Sequence, residues 1–252
     1  MTRVKTLLTL LTSLACALIL GGHDVRSEVV QHLISDADAP QWRAVGPLNV
    51  AGNRSCTATL ISPTEAVTAA HCLFNTVTHH RADPSDIHFV IGQRRDTYAA
   101  LRGVTATAIL PGFVFAGGQT EMSAIELDVA LLQLDAPVTP EEAVPMTVAD
   151  WPAVAFDPLT VDIVGYGRDR PFMASIRQDC EVLDRANGVA LLYCAVVPGL
   201  SGAPVTLKGQ RLVAVVSAMV GSKVNSDSAL ALSVAPHLAD LRGIIAATRA
   251  QP

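Results

Sequence analysis

The sequence has no excess of cationic residues: 18 Lys and Arg stand against 23 Asp and Glu, a formal net charge of −5. Removing residues 1–22 takes away Arg3 and Lys5 and no acid, which gives −7 for a chain cut there. Binding to nucleic acid or to an anionic membrane surface relies on Lys and Arg neutralising phosphates, so a general role of that kind is excluded. Aromatics are scarce, at 4% of residues. No apolar run beyond the N-terminus is long enough to span a bilayer, and there is no internal repeat or low-complexity tract. What is present is a 252-residue chain that is 50% hydrophobic, which excludes wholesale disorder. It can form one large domain or two of about 100–120 residues. Gly 17 and Pro 15 together supply 32 turn-formers, which suits many short strands better than long helices.

The N-terminus has the form of a secretory signal: Arg3 and Lys5, then residues 6–20 without a charge. This run is too short for a membrane-spanning helix. Several cut sites fit, including Ala15-Cys16-Ala17 and Gly21-Gly22. A secreted or periplasmic product follows, without stable membrane insertion. Beyond Cys16, four cysteines remain: Cys56, Cys72, Cys180 and Cys194. Four allow three pairings. The spacings 72 − 56 = 16 and 194 − 180 = 14 make two local loops, one in each half of the chain, the simplest arrangement. In an oxidising compartment each bridge would restrict the unfolded chain by about 3 kcal/mol.

From Trp42 onward, short apolar runs alternate with turn residues: 43–50, 56–61, 65–70, 87–92, 97–110, 129–134, 144–148, 160–167, 189–197, 203–207 and 211–219. Their length and their Val, Ile and Thr content favour an all-β sandwich or barrel. Pro137 to Pro158 is proline-rich and without period, as a connector between halves would be. Near the end, Ser233 can cap a helix with Pro236 in its first turn and an apolar stripe of Leu238, Leu241, Ile244 and Ile245.

Three segments carry chemistry. In Thr68-Ala69-Ala70-His71-Cys72, a β-branched strand runs into small residues and then a histidine beside a cysteine. A histidine fixed in that way can present one ring nitrogen in a defined orientation, as a general base must. In Asp128-Val129-Ala130-Leu131-Leu132, an acid immediately precedes an apolar strand. A carboxylate buried there needs a partner, and an imidazole N–H is a fitting one. In Pro198-Gly199-Leu200-Ser201-Gly202-Ala203-Pro204, glycines flank a serine. Such a turn can aim the N–H groups of Gly199 and Ser201 at one point and hold an oxyanion there. The serine hydroxyl would depend on the histidine to take its proton.

Taken together, and in the order His, Asp, Ser, these segments resemble the T-A-A-H-C, D-[IV]-A-L-L and G-x-S-G-x-P motifs of the chymotrypsin-like (trypsin-fold) serine peptidases. Pro40-Gln41-Trp42, Cys56-Thr57-Ala58-Thr59-Leu60-Ile61 and Val215-Val216-Ser217 add to the resemblance, which spans about residues 40–247. The gap from His71 to Asp128 is 57 residues, and the 73-residue gap from Asp128 to Ser201 is short for the vertebrate digestive enzymes and closer to the bacterial, V8-like secreted branch.

The resemblance implies an all-β fold of two six-stranded antiparallel β-barrels with a C-terminal α-helix. Its parts would be a signal peptide (1–22), an N-terminal arm (23–39), a first barrel (40–145), a connector (146–158) and a second barrel with the helix (159–252). It further implies an exported, monomeric serine endopeptidase acting on polypeptide through an acyl-enzyme, with neither cofactor nor metal. In that scheme His71 is the base, Asp128 orients it, Ser201 is the nucleophile, and Gly199 and Ser201 form the oxyanion hole. Ser217 and Met219 line a strand that pairs with extended peptide. Disulfides Cys56–Cys72 and Cys180–Cys194 brace the histidine loop and the wall of the specificity pocket.

The chain departs from the family in three places. Leu200 replaces the aspartate that, in digestive members, pairs with a newly cut N-terminal amine, so Ile19-Leu20-Gly21-Gly22 is taken as the tail of the signal segment. Ala195, at the base of the pocket, offers nothing to Arg or Lys. Val216 stands where glutamyl-specific relatives carry histidine. With Ala218 and Met219, these changes point to small or medium apolar residues at the cut. His79, His80 and His88 complete no tetrahedral metal set and are expected in surface loops. Arg168, Asp169 and Arg170 form a charged loop. A catalytically silent binding protein on the same fold is the competing reading. A serine esterase of the α/β-hydrolase fold is opposed by chain order, since that fold places its nucleophile first.

Overall fold

The computed structural model describes residues 30–51, 56–117, 121–153, 158–208, 210–222 and 225–250. The expected signal segment and Ile19-Leu20-Gly21-Gly22 lie outside the described residues.

Two closed barrels are built in chain order. The first uses β2 (Val45–Val50), β3 (Cys56–Ser62), β4 (Glu65–Thr68), β5 (Ile87–Ile91), β6 (Ala100–Ile109) and β7 (Ala130–Leu134), hydrogen-bonded in the order β2-β3-β4-β7-β6-β5. The second uses β8 (Thr160–Gly165), β9 (Ser175–Ala186), β10 (Val189–Tyr193), β11 (Pro204–Leu207), β12 (Arg211–Ser222) and β13 (Asn225–Ser233), in the order β9-β10-β13-β12-β11-β8, and closes through β8–β9. The barrel strands pair antiparallel throughout, and bulges punctuate both barrels, as closure of so short a sheet requires. A short strand, β1 (Gln31–Leu33), pairs with β9 through Gln31↔Arg177, His32↔Ile176 and Leu33↔Ser175, on the stretch that β10 leaves uncovered.

Aliphatic side chains fill the barrels: Leu48, Leu60, Leu131 and Leu132 with Phe89 in the first, and Val161, Ile163, Leu192, Val205 and Val213 in the second. The two expected disulfides are formed, Cys56–Cys72 and Cys180–Cys194. The C-terminal helix, Leu238–Arg249, leaves the second barrel and packs back on the first, with Leu241 and Ile245 in the first barrel's apolar cluster and Arg242 paired to Glu65.

Several local expectations are corrected. Ser233 is not the helix cap: its hydroxyl donates to Gly188 O at 2.6 Å and accepts from Trp151 Nε1 at 3.0 Å, and the helix is entered through a 3-10 turn at Ala235–His237. Residues 144–148 form no strand and contribute only a bridge between Val148 and Leu212. Strands β9 and β13 carry too many charged and serine residues to show as apolar runs. They are strands because neighbours on both sides complete their hydrogen bonds.

Candidate active site

Strand β4 ends at Thr68, and a 3-10 turn, Ala70–Leu73, follows at once. Ala69 and Ala70 are fully buried against the barrel. The Cys56–Cys72 bridge ties this turn to β3. Strand β7 pairs with β4 through Thr68↔Ala130, so the antiparallel register carries Asp128, two residues before Ala130, alongside the Ala70–Leu73 turn that holds His71. Asp128 and His71 are brought together by that register. Asp128 Oδ1 accepts the His71 backbone N–H at 2.8 Å, and Oδ2 accepts Nδ1 of the ring at 2.7 Å.

Asp128 is 2% exposed, and a third donor, Ser217 Oγ, completes its shell. Three donors compensate a buried carboxylate that would otherwise be costly. An ionised carboxylate can only accept, so Nδ1 carries the proton and Nε2 of the neutral ring is left as the acceptor. Ser217 reaches Asp128 from the second barrel because β12 is bulged between Val216 and Ala218, which re-aims its side chain.

The serine belongs to a segment with no ladder of its own. Residues 194–203 lie between β10 and β11, and their carbonyls are tied one at a time. Arg177 Nε donates to Ala195 O, Leu200 N to Val197 O at 3.1 Å, and Arg168 N to Pro198 O at 2.7 Å. Thr57 Oγ1 donates to Gly199 O at 3.0 Å, Ala203 N to Leu200 O at 2.9 Å, and Thr57 N to Ser201 O at 2.8 Å. Among the described residues, the N–H groups of Gly199 and Ser201 donate to no protein acceptor. A peptide is planar and trans, so anchoring Pro198 O on one side turns the Gly199 N–H to the other.

Gly199 has φ +103°, and a Cβ there would lie 2.5 Å from Tyr166 O and 2.8 Å from Arg168 N. At Gly202, with φ +77°, a Cβ would come within 2.2 Å of Thr68 Oγ1. Both positions therefore demand glycine. Leu200 is fully buried in the second barrel's cluster, so an apolar anchor occupies the place where digestive members use a charged one.

His71, Asp128 and Ser201 border one cleft of about 200 Å³. No hydrogen bond joins the Ser201 hydroxyl to the ring in this structure. Apart from Ser217 the rest of the lining is apolar and includes Val196, Val197, Val216, Ala218 and Met219 from the second barrel and Phe113, Phe115 and Ala124 from the first half of the chain. Met219 lies at the rim, 39% exposed, while Ala195 does not border the cleft, and its carbonyl is held by Arg177. Beyond Val215, β12 pairs only with β13 among the described strands, which leaves the edge at Ser217–Met219 open towards the cleft.

His79 and His80 are exposed in a loop, whereas His88 is exposed on β5 rather than in a loop. The one grouping with metal-ligand reach among the described residues, Cys56, His71 and Cys72, contains two disulfide sulfurs and so offers no thiolate.

Sequence reasoning missed two contributors. Thr57 is fully buried. Its hydroxyl accepts Tyr166 N at 3.1 Å while donating to Gly199 O, and its carbonyl accepts Thr68 Oγ1 at 2.8 Å. The neighbouring Cys56 was the only signal at that point. The second is the aromatic wall, where Phe115 stacks on Phe74 at 5.3 Å and Phe113 tilts against Phe74 at 5.7 Å. The isolated Phe113 and Phe115 have no period that would mark them.

Two closed antiparallel barrels, with a histidine–carboxylate pair on one and a glycine-flanked serine on the other, define the chymotrypsin-like class of fold. The chain belongs to the Trypsin family, which matches residues 34–238. A solved Glu endopeptidase superposes with TM-score 0.68 at 18% identity, over 88% of this chain and 97% of that one. A scabies mite inactivated protease paralogue superposes with TM-score 0.64 at 16% identity, over 83% and 94% of the two chains. At such identities the likeness is one of fold. No curated protein sequence matches the chain.

Proposed function

We propose that the protein is an exported serine endopeptidase, monomeric and independent of metal or cofactor, that cleaves extended polypeptide. The observation that carries this reading is the His71 Nδ1–Asp128 contact of 2.7 Å on the same cleft as Ser201. Nε2 accepts the Ser201 proton as the oxygen attacks the scissile carbonyl, once bound substrate closes the gap between them. The tetrahedral oxyanion is held by the N–H groups of Gly199 and Ser201. Imidazolium then gives its proton to the leaving amine, leaving an acyl group on Ser201, and water releases that acyl group by the same route. The bound peptide adds as a strand along Ser217–Met219. The aliphatic lining by Val196, Val197, Val216 and Met219 favours small or medium apolar side chains at the cut and gives no partner for a basic one. Two disulfides and the charged, then apolar, N-terminus favour secretion or the periplasm.

A fluorophosphonate probe is expected to label mature protein at Ser201, and Ser201→Ala to abolish the label. Folded protein that resists the probe at every accessible pH would sink the reading. The buried Leu200 and the unmade Ser201–His71 bond favour a second reading, a silent binding protein. Digestion of casein or a peptide library separates the two, because only a peptidase yields fragments that vanish with Ser201→Ala.

A further inference from the structure

The segment 194–203 lies between strands, and its Ala195 carbonyl is held by a side chain from elsewhere. Arg177, on β9, donates Nε to it. Arg177 is 2% exposed, and its Nη1 has no partner among the described residues. Burial lowers its pKa to about 10 against the opposing pull of Asp169, so it remains a cation at neutral pH. A buried cation is costly unless its donors are used. The third donor is used by the N-terminal arm: Arg177 Nη2 donates to Gln31 Oε1 at 2.6 Å. The other end of the same amide, Gln31 Nε2, donates to Asp169 Oδ2 at 3.3 Å. A cation on one side and a carboxylate on the other fix which way that amide faces. Asp169 in turn belongs to the turn whose Arg168 N–H anchors Pro198 O at 2.7 Å. One side chain of the arm therefore bonds the Ala195 support, Arg177, directly and bonds Asp169, the neighbour of the Pro198 support.

We propose that Gln31 and Arg177 are positioning residues, and that the arm strand β1 is a built-in strap that sets the oxyanion loop. This rests on the serine peptidase reading and adds a structural requirement to it. Leu200 cannot receive an amine, so no newly cut N-terminus can brace this loop through it. The brace is supplied from within by the Arg177 guanidinium, held in place by β1. Mature protein must then retain Gln31, and processing that removes β1 would silence the site while leaving both barrels intact.

The test compares wild type, Gln31→Leu, Arg177→Ala and Arg177→Lys in the mature chain. Two readouts are taken: the rate of fluorophosphonate labelling at Ser201, and hydrogen exchange across residues 194–203, with melting temperature measured alongside. Gln31→Leu changes one side chain on an edge strand and is expected to fold. It should label about tenfold more slowly or worse, since removal of a whole oxyanion donor costs about 10²–10³. The rate of peptide hydrolysis at saturation should fall with KM little changed. Exchange in 194–203 should quicken, with no matching change elsewhere. Arg177→Ala should lose more, and added guanidinium at a non-denaturing concentration should restore part of it. Arg177→Lys should not restore it, because an ammonium cannot reach Ala195 O and Gln31 together.

Wild-type labelling and exchange rates in Gln31→Leu would overturn the strap, whether or not Arg177→Ala folds. If wild type fails to label, the peptidase reading falls, and exchange alone still decides the strap: equal exchange in wild type and Gln31→Leu rejects it.

Discussion

The two halves of the cleft are built on different principles. The histidine and the aspartate follow and precede the paired strands β4 and β7, whose register sets them side by side, and a disulfide ties the histidine's turn to β3. The serine rides on a segment without a ladder, and several of its carbonyls are tied by separate donors. Three of those donors come from far along the chain: Thr57 from the first barrel, Arg168 from the turn after β8, and Arg177 from β9. The histidine–aspartate half is thus supported by the backbone bonds of two strands. The serine half depends on a few individual groups, and its geometry is correspondingly easier to lose without unfolding.

Substitutions in each half put that contrast to the test. The largest effect is expected from Asp128→Asn. The fold keeps its backbone bonds, but the amide offers a donor where the ring needs an acceptor, and peptidase turnover should fall by about 10⁴. Steady-state kinetics with an unchanged melting temperature is the check. If stability collapses instead, the first half is less well supported than its ladders indicate.

Next comes Gly199→Ala. A left-handed φ of +103° and backbone atoms 2.5–2.8 Å from the new Cβ force the 198–199 peptide to move. Turnover should drop by about 10²–10³ as the oxyanion donor is displaced. A near-normal rate would mean that this N–H is not used.

Thr57→Val keeps the shape and removes one hydroxyl, leaving Gly199 O and Tyr166 N unpaired. Stability should fall by about 1–3 kcal/mol, with slower labelling at Ser201, and Thr57→Ser should retain most of both. Chemical denaturation and probe kinetics on the same samples would show whether the two losses track each other.

The smallest effect belongs to the first half. Arg242 reaches Glu65 through two bonds of 2.9 and 2.7 Å and holds the carboxyl below its ordinary range, against the opposing effect of burial. A carboxyl with a lowered folded pKa stabilises the protein above its unfolded pKa and loses that contribution as pH falls through the lowered value. Arg242→Ala should cost under about 1 kcal/mol at neutral pH, discounted for exposure, and should flatten the acid limb of the stability curve. A larger loss, read by thermal melts across pH 3–7, would mean that the helix anchor matters more than its solvent-exposed pair indicates.

Sequence legibility follows the same division. The strands around His71 and Asp128 were readable because their apolar residues alternate or run together and because motif and strand coincide in Thr68–Cys72 and Asp128–Leu132. The disulfides followed from spacing and resemblance. Strands β9 and β13 were not readable, since Ser175–Ala186 carries charges along much of its length and Asn225–Ser233 is rich in serine. Ser233 looked like a helix cap because serine commonly is one. Here the Trp151 indole and Gly188 carbonyl competed successfully for its hydroxyl. Ala195 was expected to face the cleft, yet the lining passes through Val196 and Val197 instead.

The sequence by itself determined the strand-rich character, the two short disulfide loops and the three motifs in their order, because these depend on residue type and on neighbours close along the chain. Tertiary structure alone decided which distant groups would hold the serine segment. Thr57 and Arg177 acquire their roles only when barrel closure sets them within hydrogen-bond reach of carbonyls 142 and 18 residues away, and Gln31 only when β1 sets its amide beside Arg177, 146 residues on. A hydrogen bond depends on about 3 Å of space and a direction, and neither is encoded by separation along the chain.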